Sequence, residues 1–383
     1  MSTLKVDGIR SNSATSDAIT LASNGTCTAN ITNNLSNRNK IINGAMQIAQ
    51  RGTSITTGDN ATHFLMDRWS IYCQNTGSRF TITQSTDTPD GFGNSLKIDC
   101  TTADTSLASN EEVQFQQKIE GFNTQDFAKG TSSAKQYTLS FYLKTTKTGT
   151  YIVNLLGRDN TTSDVAASYT VSDTNWNRYT ITFPADTTSG RGDDNDNGEA
   201  LRVVWWLVAG SAVQSGDLGT TWANSSDAGR ATGQVNFADS TSNDWYITGV
   251  QLEVGGVATD FEHRSFADEL LRCHRYFVKQ SGGSDVYVFA AKGQGSASCD
   301  VGIPLCVPMR ASPTVVNTSN RFFRSTTTSQ STSTTNPSVA QFSTSTTIFS
   351  PVLALNVGGH SSTNNEAGNF TLLNQDMTFD AEL

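Results

Sequence analysis

Apolar and polar residues alternate in short runs along most of this chain, the two-residue period of β-strands with one buried face. Between residues 39 and 264 the runs predict strands at Arg68–Tyr72, Arg79–Thr83, Ser95–Asp99, Val113–Ile119, Gln136–Leu143, Tyr151–Leu156, Ala167–Val171, Asn177–Phe183, Leu201–Ala209 and Asp244–Val254. Gly, Asn, Asp and Ser clusters separate them as turn signals. In the last run Tyr246, Thr248, Val250, Leu252 and Val254 fall on one face, with Ile247, Gln251 and Glu253 on the other. That pattern predicts a half-buried antiparallel strand. The series as a whole predicts a two-sheet antiparallel sandwich of jelly-roll type over residues 39–264.

The pattern changes on either side. Residues 1–38 carry only bursts of alternation, with Leu4, Val6, Ile9, Ile19 and Leu21 as the main apolar groups. So short and polar a segment cannot build its own core, which predicts short strands that bury themselves against sister chains or a docking partner. Residues 265–278, SFADELLRCHRYFV, place Phe266, Leu270, Cys273, His274 and Phe277 at helical spacing, with Ser265 as N-cap and Asp268 three residues on. One short amphipathic helix is expected there. Residues 279–383 predict a small second β domain, with strands at Val286–Ala290, Cys299–Leu305, Pro313–Val316, Val352–Val357, Phe370–Leu373 and Met377–Phe379. The Ser/Thr-rich stretch 325–347 reads as a polar hairpin or long loop between them. The fold class is therefore all-β, with a single helix.

Composition narrows the function classes. Of 383 residues, 36% are hydrophobic and 16% charged, so neutral polar residues supply much of the rest, which suits exposed sheet and long turns. A net charge of −9 opposes binding to phosphate backbones, and no nucleic-acid partner is expected. No run of 18 apolar residues exists, so no membrane insertion is expected, and the opening MSTLKVDGIRSNS lacks signal-peptide character. Synthesis in a cytoplasm follows as the expectation. Cys27, Cys73, Cys100, Cys273, Cys299 and Cys306 have no metal or redox spacing and are expected as free thiols.

Catalytic motifs are missing. His63, His263, His274 and His360 stand in no ligand spacing, and there is neither a GxSxG elbow nor a P-loop. Adjacent Cys273 and His274 would diverge by roughly 100° on a helix and cannot pair. The expectation is a protein that is not an enzyme. One acidic run, RGDDNDNGEA, matches the first half of a calcium loop through Asp193, Asn195, Asn197 and Gly198, but Val204 stands where the twelfth-position Glu belongs. It reads either as a calcium-stabilised loop or as a solvated acidic turn. Among six tryptophans, Trp205 and Trp206 are consecutive on one strand and so point to opposite faces, one inside the sandwich and the other outside in a groove or interface. Trp222 lies in the loop GDLGTTWANSSDAG, as an exposed ligand contact or as a plug at a sheet edge. Trp222 and Trp206 are the candidate ligand-binding residues.

Two blocks carry a resemblance. NKIINGAMQIAQRGTS (39–54) followed by DRW (67–69), and ITGVQLEVGGVATDFEHRSFADELLRCHRYF (247–277), bracket the large domain. Together they resemble the opening and close of a jelly-roll domain common in bacteriophage tail-fibre and virion-appendage proteins. VPMRASPTV (307–315) and FDAEL (379–383) resemble the small C-terminal β domain of such proteins, and STLKVDGIRSNS resembles their N-terminal fibre segments. The resemblance implies a homotrimer in the virion, assembled in the host bacterial cytoplasm. It implies docking to phage tail or collar proteins through residues 1–38 and attachment to a host-surface glycan. The alternatives within it are a head or collar fibre or adaptor without receptor contact, and a polysaccharide depolymerase, though the repeating rungs of a β-helix are missing. The large domain also resembles galactose-binding jelly rolls that hold a structural calcium. That likeness implies a role for Glu253, while Ala45 stands where an acidic residue is frequent. Otherwise no cofactor is expected.

Overall fold

The computed structural model describes residues 36–281, 298–317 and 376–383 continuously. It also describes the shorter stretches 6–13, 15, 17–21, 23, 27–29, 286–293, 321–325, 331–333, 338–341, 352–358 and 367–373. The first strands, β1 (Gly8–Ile9), β2 (Ile19–Leu21) and β3 (Cys27–Ala29), form a small antiparallel sheet. Val6, Ile9 and Leu21 are exposed and Ile19 is half-buried, while Leu4 lies outside the described residues.

The sandwich strands are β4 (Ser54–Thr56), β5 (Ala61–Phe64), β6 (Ser70–Gln74), β7 (Phe80–Ser85), β8 (Ser95–Cys100), β9 (Glu112–Glu120), β10 (Tyr137–Thr145), β11 (Gly149–Gly157), β12 (Ser163–Val171), β13 (Asn177–Phe183), β14 (Glu199–Ala209), β15 (Ala223–Asn224) and β16 (Asp244–Val254). They make a six-stranded sheet, β13-β10-β16-β8-β7-β4, and a seven-stranded sheet, β15-β12-β11-β14-β9-β6-β5. The result is an antiparallel jelly-roll sandwich. All ten strands read from the sequence are present; β4, β5 and β15, with two to four residues each, were too short to leave a period.

The inner faces of both sheets share one core. Trp69 stacks on Phe115 at 4.7 Å between centroids, and Trp205, Phe141 and Trp245 pack around that pair. These offset and edge contacts add to the burial of large rings.

The outer faces are treated differently. Strands β11 and β14 are buried on both sides, because residues 210–231 fold back over them. Ile152, Leu156, Val204 and Trp206 pack there against Val213, Ala231 and Leu218. Strand β13 instead alternates half-buried and exposed residues, so the outer face of the six-stranded sheet is open in part, although Thr138, Ser140, Thr248, Gln251 and Glu253 on β10 and β16 are buried.

Helix α1 (Phe266–His274) follows the sandwich, its N-terminus capped as expected by Ser265, whose hydroxyl accepts from the Asp268 amide at 3.2 Å. Cys273 and the following Tyr276 bury against Ile42 and Ile48 of the opening segment. Next come β17 (Phe277–Ser281), β18 (Val286–Gly293), β19 (Ser298–Pro304), β20 (Thr314–Asn317), β21 (Arg321–Ser325), β22 (Ser331–Ser333), β23 (Ser338–Gln341), β24 (Val352–Gly358), β25 (Ala367–Leu373) and β26 (Asp376–Asp380). They form a three-stranded sheet, β17-β26-β20, and a seven-stranded one, β22-β21-β25-β18-β19-β24-β23. Two short strands, β22 and β23, thus fall inside the Ser/Thr-rich stretch, whose remaining residues 326–330, 334–337 and 342–347 lie outside the described ones.

Buried charge ties this last part to the sandwich. The Arg68 guanidinium pairs with Glu382, both nearly sealed from solvent, and lies 3.5 Å from the centre of the Tyr276 ring. Arg310 donates to the carbonyls of Asn197, Ala381 and Glu382. Cys73, Cys100 and Cys273 are buried free thiols and Cys306 is an exposed one.

Candidate functional site

The outer face of the six-stranded sheet carries a group of half-buried aromatic and charged side chains around Tyr246. Register builds it. Tyr246 on β16 pairs with Lys97 on β8 and with Lys144 on β10, so the three stand in one row across the sheet. The two ammonium groups lie 5.6 and 5.4 Å from the Tyr246 ring centre, within reach of cation–π attraction. Trp176, in the turn before β13, meets the Tyr246 ring edge-on at 6.3 Å. Two residues along each strand, Asp244 faces Asp99.

The charges are organised in two groups. Asp87 accepts from Lys144 at 2.6 Å and from the Trp176 indole N–H at 2.9 Å. The bond from Lys144 holds its carboxyl below the usual carboxylate range. Lys97 pairs with Asp244 at 2.8 Å and reaches Asp99 at 3.9 Å. Burial opposes its charge, yet Asp244, Tyr246 and Asp99 outweigh that and raise its pKa. Burial and a hydrogen bond to Asp244 raise Asp99.

A β-bulge explains why this face is here. The pairing of β10 with β16 shifts between Ser140 and Tyr142, leaving Gly249 and Val250 opposite the single residue Phe141. Gly249 has φ +61°, in the left-handed region that favours glycine. Before it, Trp245 and Ile247 point into the core and Tyr246 and Thr248 point out; after it, Val250 and Leu252 point in. The sequence expectation that Tyr246, Thr248, Val250 and Leu252 share a face is therefore corrected. Alternation read through a bulge inverts on its far side. Beyond the bulge, Gln251 and Glu253 turn outward but are covered. Thr259 donates to Glu253 through its amide and hydroxyl, both at 2.8 Å, and the Glu262 amide donates to Gln251 at 2.8 Å. The open face is thus confined to the Tyr246 end.

The residues singled out from sequence are scattered. Trp206 is fully buried, its N–H donating to Asn154 Oδ1 at 2.6 Å, because residues 210–231 cover the strand face it occupies. The expectation of a groove beside it is corrected: both faces of β14 are core. Trp222 is half-buried, donates to the Pro184 carbonyl at 2.8 Å and lies 5.4 Å from the Lys129 ammonium, which places it as the plug of the two readings. Beneath it Lys129 sits 3.5 Å from Asp186 and 3.8 Å from Asp193.

The four calcium candidates are likewise not brought together. Asp193 faces Lys129, and burial pushes its carboxyl up to about 6. Asn195 is exposed. Asn197 donates to the Arg310 carbonyl at 2.6 Å. Glu253 is held by Thr259 and Gln251. Among the described residues no three His, Cys, Asp or Glu side chains gather as a metal site would require. An ammonium stands where Asp193 would have offered an oxygen to a cation.

Lys97, Lys144, Asp87, Asp99, Asp244, Tyr246 and Trp176 escaped the sequence reading as a set. They come from three strands and two turns, and the pattern grouped Tyr246 with Val250 and Leu252, which the bulge turns to the opposite face.

No protein-family model matches the chain, and no curated protein matches it. Solved structures that match part of the chain include a CBM4 structure (16% identity, TM-score 0.28), covering 55% of this chain and 97% of that one. Another is the CBM22-1 xylan-binding domain of Paenibacillus barcinonensis Xyn10C (12% identity, TM-score 0.26; 54% and 94% covered). A third is the family 11 carbohydrate-binding module of the cellulosomal cellulase Lic26A-Cel5E of Clostridium thermocellum (11% identity, TM-score 0.28; 55% and 98% covered). Likeness at this level transfers neither a ligand nor a binding residue.

Proposed function

We propose that this chain is a non-catalytic, glycan-binding subunit of a bacteriophage appendage, a trimeric tail fibre that meets the host surface through the open face of its six-stranded sheet. One observation carries the glycan part. Tyr246 and Trp176 offer aromatic surface between two ordered ion-pair groups, Lys144–Asp87 and Lys97–Asp244. A sugar needs that combination: a ring face to lie on, and donors and acceptors held in place for its hydroxyls. Side chains already fixed by one another lose little entropy on binding. The virion part rests on the sequence blocks at 39–69 and 247–277 and on the segment 1–38.

Two measurements test the reading. Antibody-gold labelling of purified phage particles should place the chain at the tail tip or fibres; labelling confined to the head or collar would contradict the receptor role. Surface polysaccharide from the host bacterium, titrated into the purified chain, should bind without release of reducing ends. Release of reducing ends would make the protein a depolymerase.

A further inference from the structure

A cleft lies away from the sheet face, where three segments distant in sequence meet: the opening residues 37–42, the 3-10 turns Gly121–Asn123 and Gln125–Phe127, and the last turn of α1. It has two adjoining halves of ≈ 450 and ≈ 420 Å³, which share Ile42, Phe122, Asn123 and Arg272. Each half is within the usual size range of small-molecule sites.

The charges of this cleft do not cancel locally. Arg275 forms a two-pronged pair with the buried Glu120, and Lys40 pairs with Asp126 at 2.7 Å. Arg272 has no carboxylate within 4 Å among the described residues; its one hydrogen bond is to Asn37 Oδ1 at 2.8 Å. The acids that act on it from its own helix and the segment before it are already engaged. Glu269 and Glu262 lie 3.3 and 3.4 Å from Arg264, and Asp268 holds Ser265. A half-buried guanidinium costs free energy unless a partner arrives. Beside it, the Phe122 ring is half-buried and Asn123 and Gln125 are exposed; the Gln125 amide nitrogen is already turned to the Gly121 and Asp194 carbonyls, which leaves its Oε1 to accept from a ligand.

We infer that this cleft binds a carboxylate-bearing sugar, with Arg272 holding the carboxylate, Phe122 lying against the ring and Asn123 and Gln125 meeting the hydroxyls. One uncompensated positive charge matches a single carboxylate, which a guanidinium can grip with two parallel bonds. A phosphate dianion would bring twice the charge to the one cation left over. The site stands apart from the open sheet face and does not depend on it.

The test is calorimetric titration of the full chain with methyl glucuronide, a galacturonate trimer, methyl glucoside and inorganic phosphate. Either uronate should bind at least 10-fold more tightly than the neutral glucoside. Arg272→Met should abolish the preference and Arg272→Lys should keep part of it. Should Arg272→Met fail to fold, Phe122→Ser should weaken uronate binding by the same order. Equal binding of glucoside and uronate, no binding of any sugar, or an unchanged preference in folded Arg272→Met would each overturn the inference. Phosphate competing as well as uronate would overturn it too, leaving only a general anion site.

Discussion

Gly249 and Tyr142 meet across the β10–β16 bulge so closely that the Cβ glycine lacks would lie 2.8 Å from the tyrosine Cδ2 and 2.7 Å from Phe92 Cζ. Gly249→Ala would combine this overlap with the φ of +61°. The expected cost is about 2 kcal/mol, from left-handed backbone strain and crowding together. Urea unfolding should show a lower midpoint with an unchanged slope. A cost below about 0.5 kcal/mol would mean that the bulge relaxes freely.

The Arg68–Glu382 pair should hold the last residues to the sandwich. Glu382→Leu leaves the Arg68 charge buried beside Tyr276, with the Lys118 carbonyl as a remaining acceptor. Breaking one side of a buried pair costs about 3 kcal/mol or more. Thermal unfolding should fall accordingly, and limited proteolysis should begin within residues 277–383. Equal stability of variant and parent would place the attachment elsewhere.

Acidity should reveal Asp67. Burial pushes its carboxyl from 3.8 up to about 6, against the opposing bonds from Gln50. The folded chain therefore keeps a proton that the unfolded chain releases near pH 4. This contribution to stability is present below about pH 4 and is lost as pH rises through about 6. Asp67→Asn removes the dependence, so its stability relative to the parent should improve between pH 5 and pH 7. A difference that stays flat, or moves the other way, would contradict the raised value.

Trp222→Ala should act on stability and leave glycan affinity alone. The indole covers Lys129 and Tyr137, and its loss should cost about 2 kcal/mol, less than a fully buried tryptophan would. Glycan affinity that falls more than 10-fold in the folded variant would return Trp222 to the site.

The strands were legible because one buried face imposes a two-residue period, and Asn177–Phe183 and Asp244–Val254 agree to the residue. The Ser265 cap was equally local and equally readable. Trp206 was misplaced because its cover comes from residues 210–231, and no strand pattern shows which outer face a later loop will take. The same limit hid the candidate site. Lys97, Lys144 and Tyr246 are neighbours only once the register is set, and Gly249 inverts half of the strand that carries one of them.

The central claim is that the open sheet face binds glycan through Tyr246. Its most direct test is calorimetric titration of host-surface oligosaccharide into the parent chain and into Tyr246→Ala, with circular dichroism to show that both are folded. The expected result is a loss of affinity of at least 10-fold in the variant. Equal affinity of a folded Tyr246→Ala would contradict the assignment of this face.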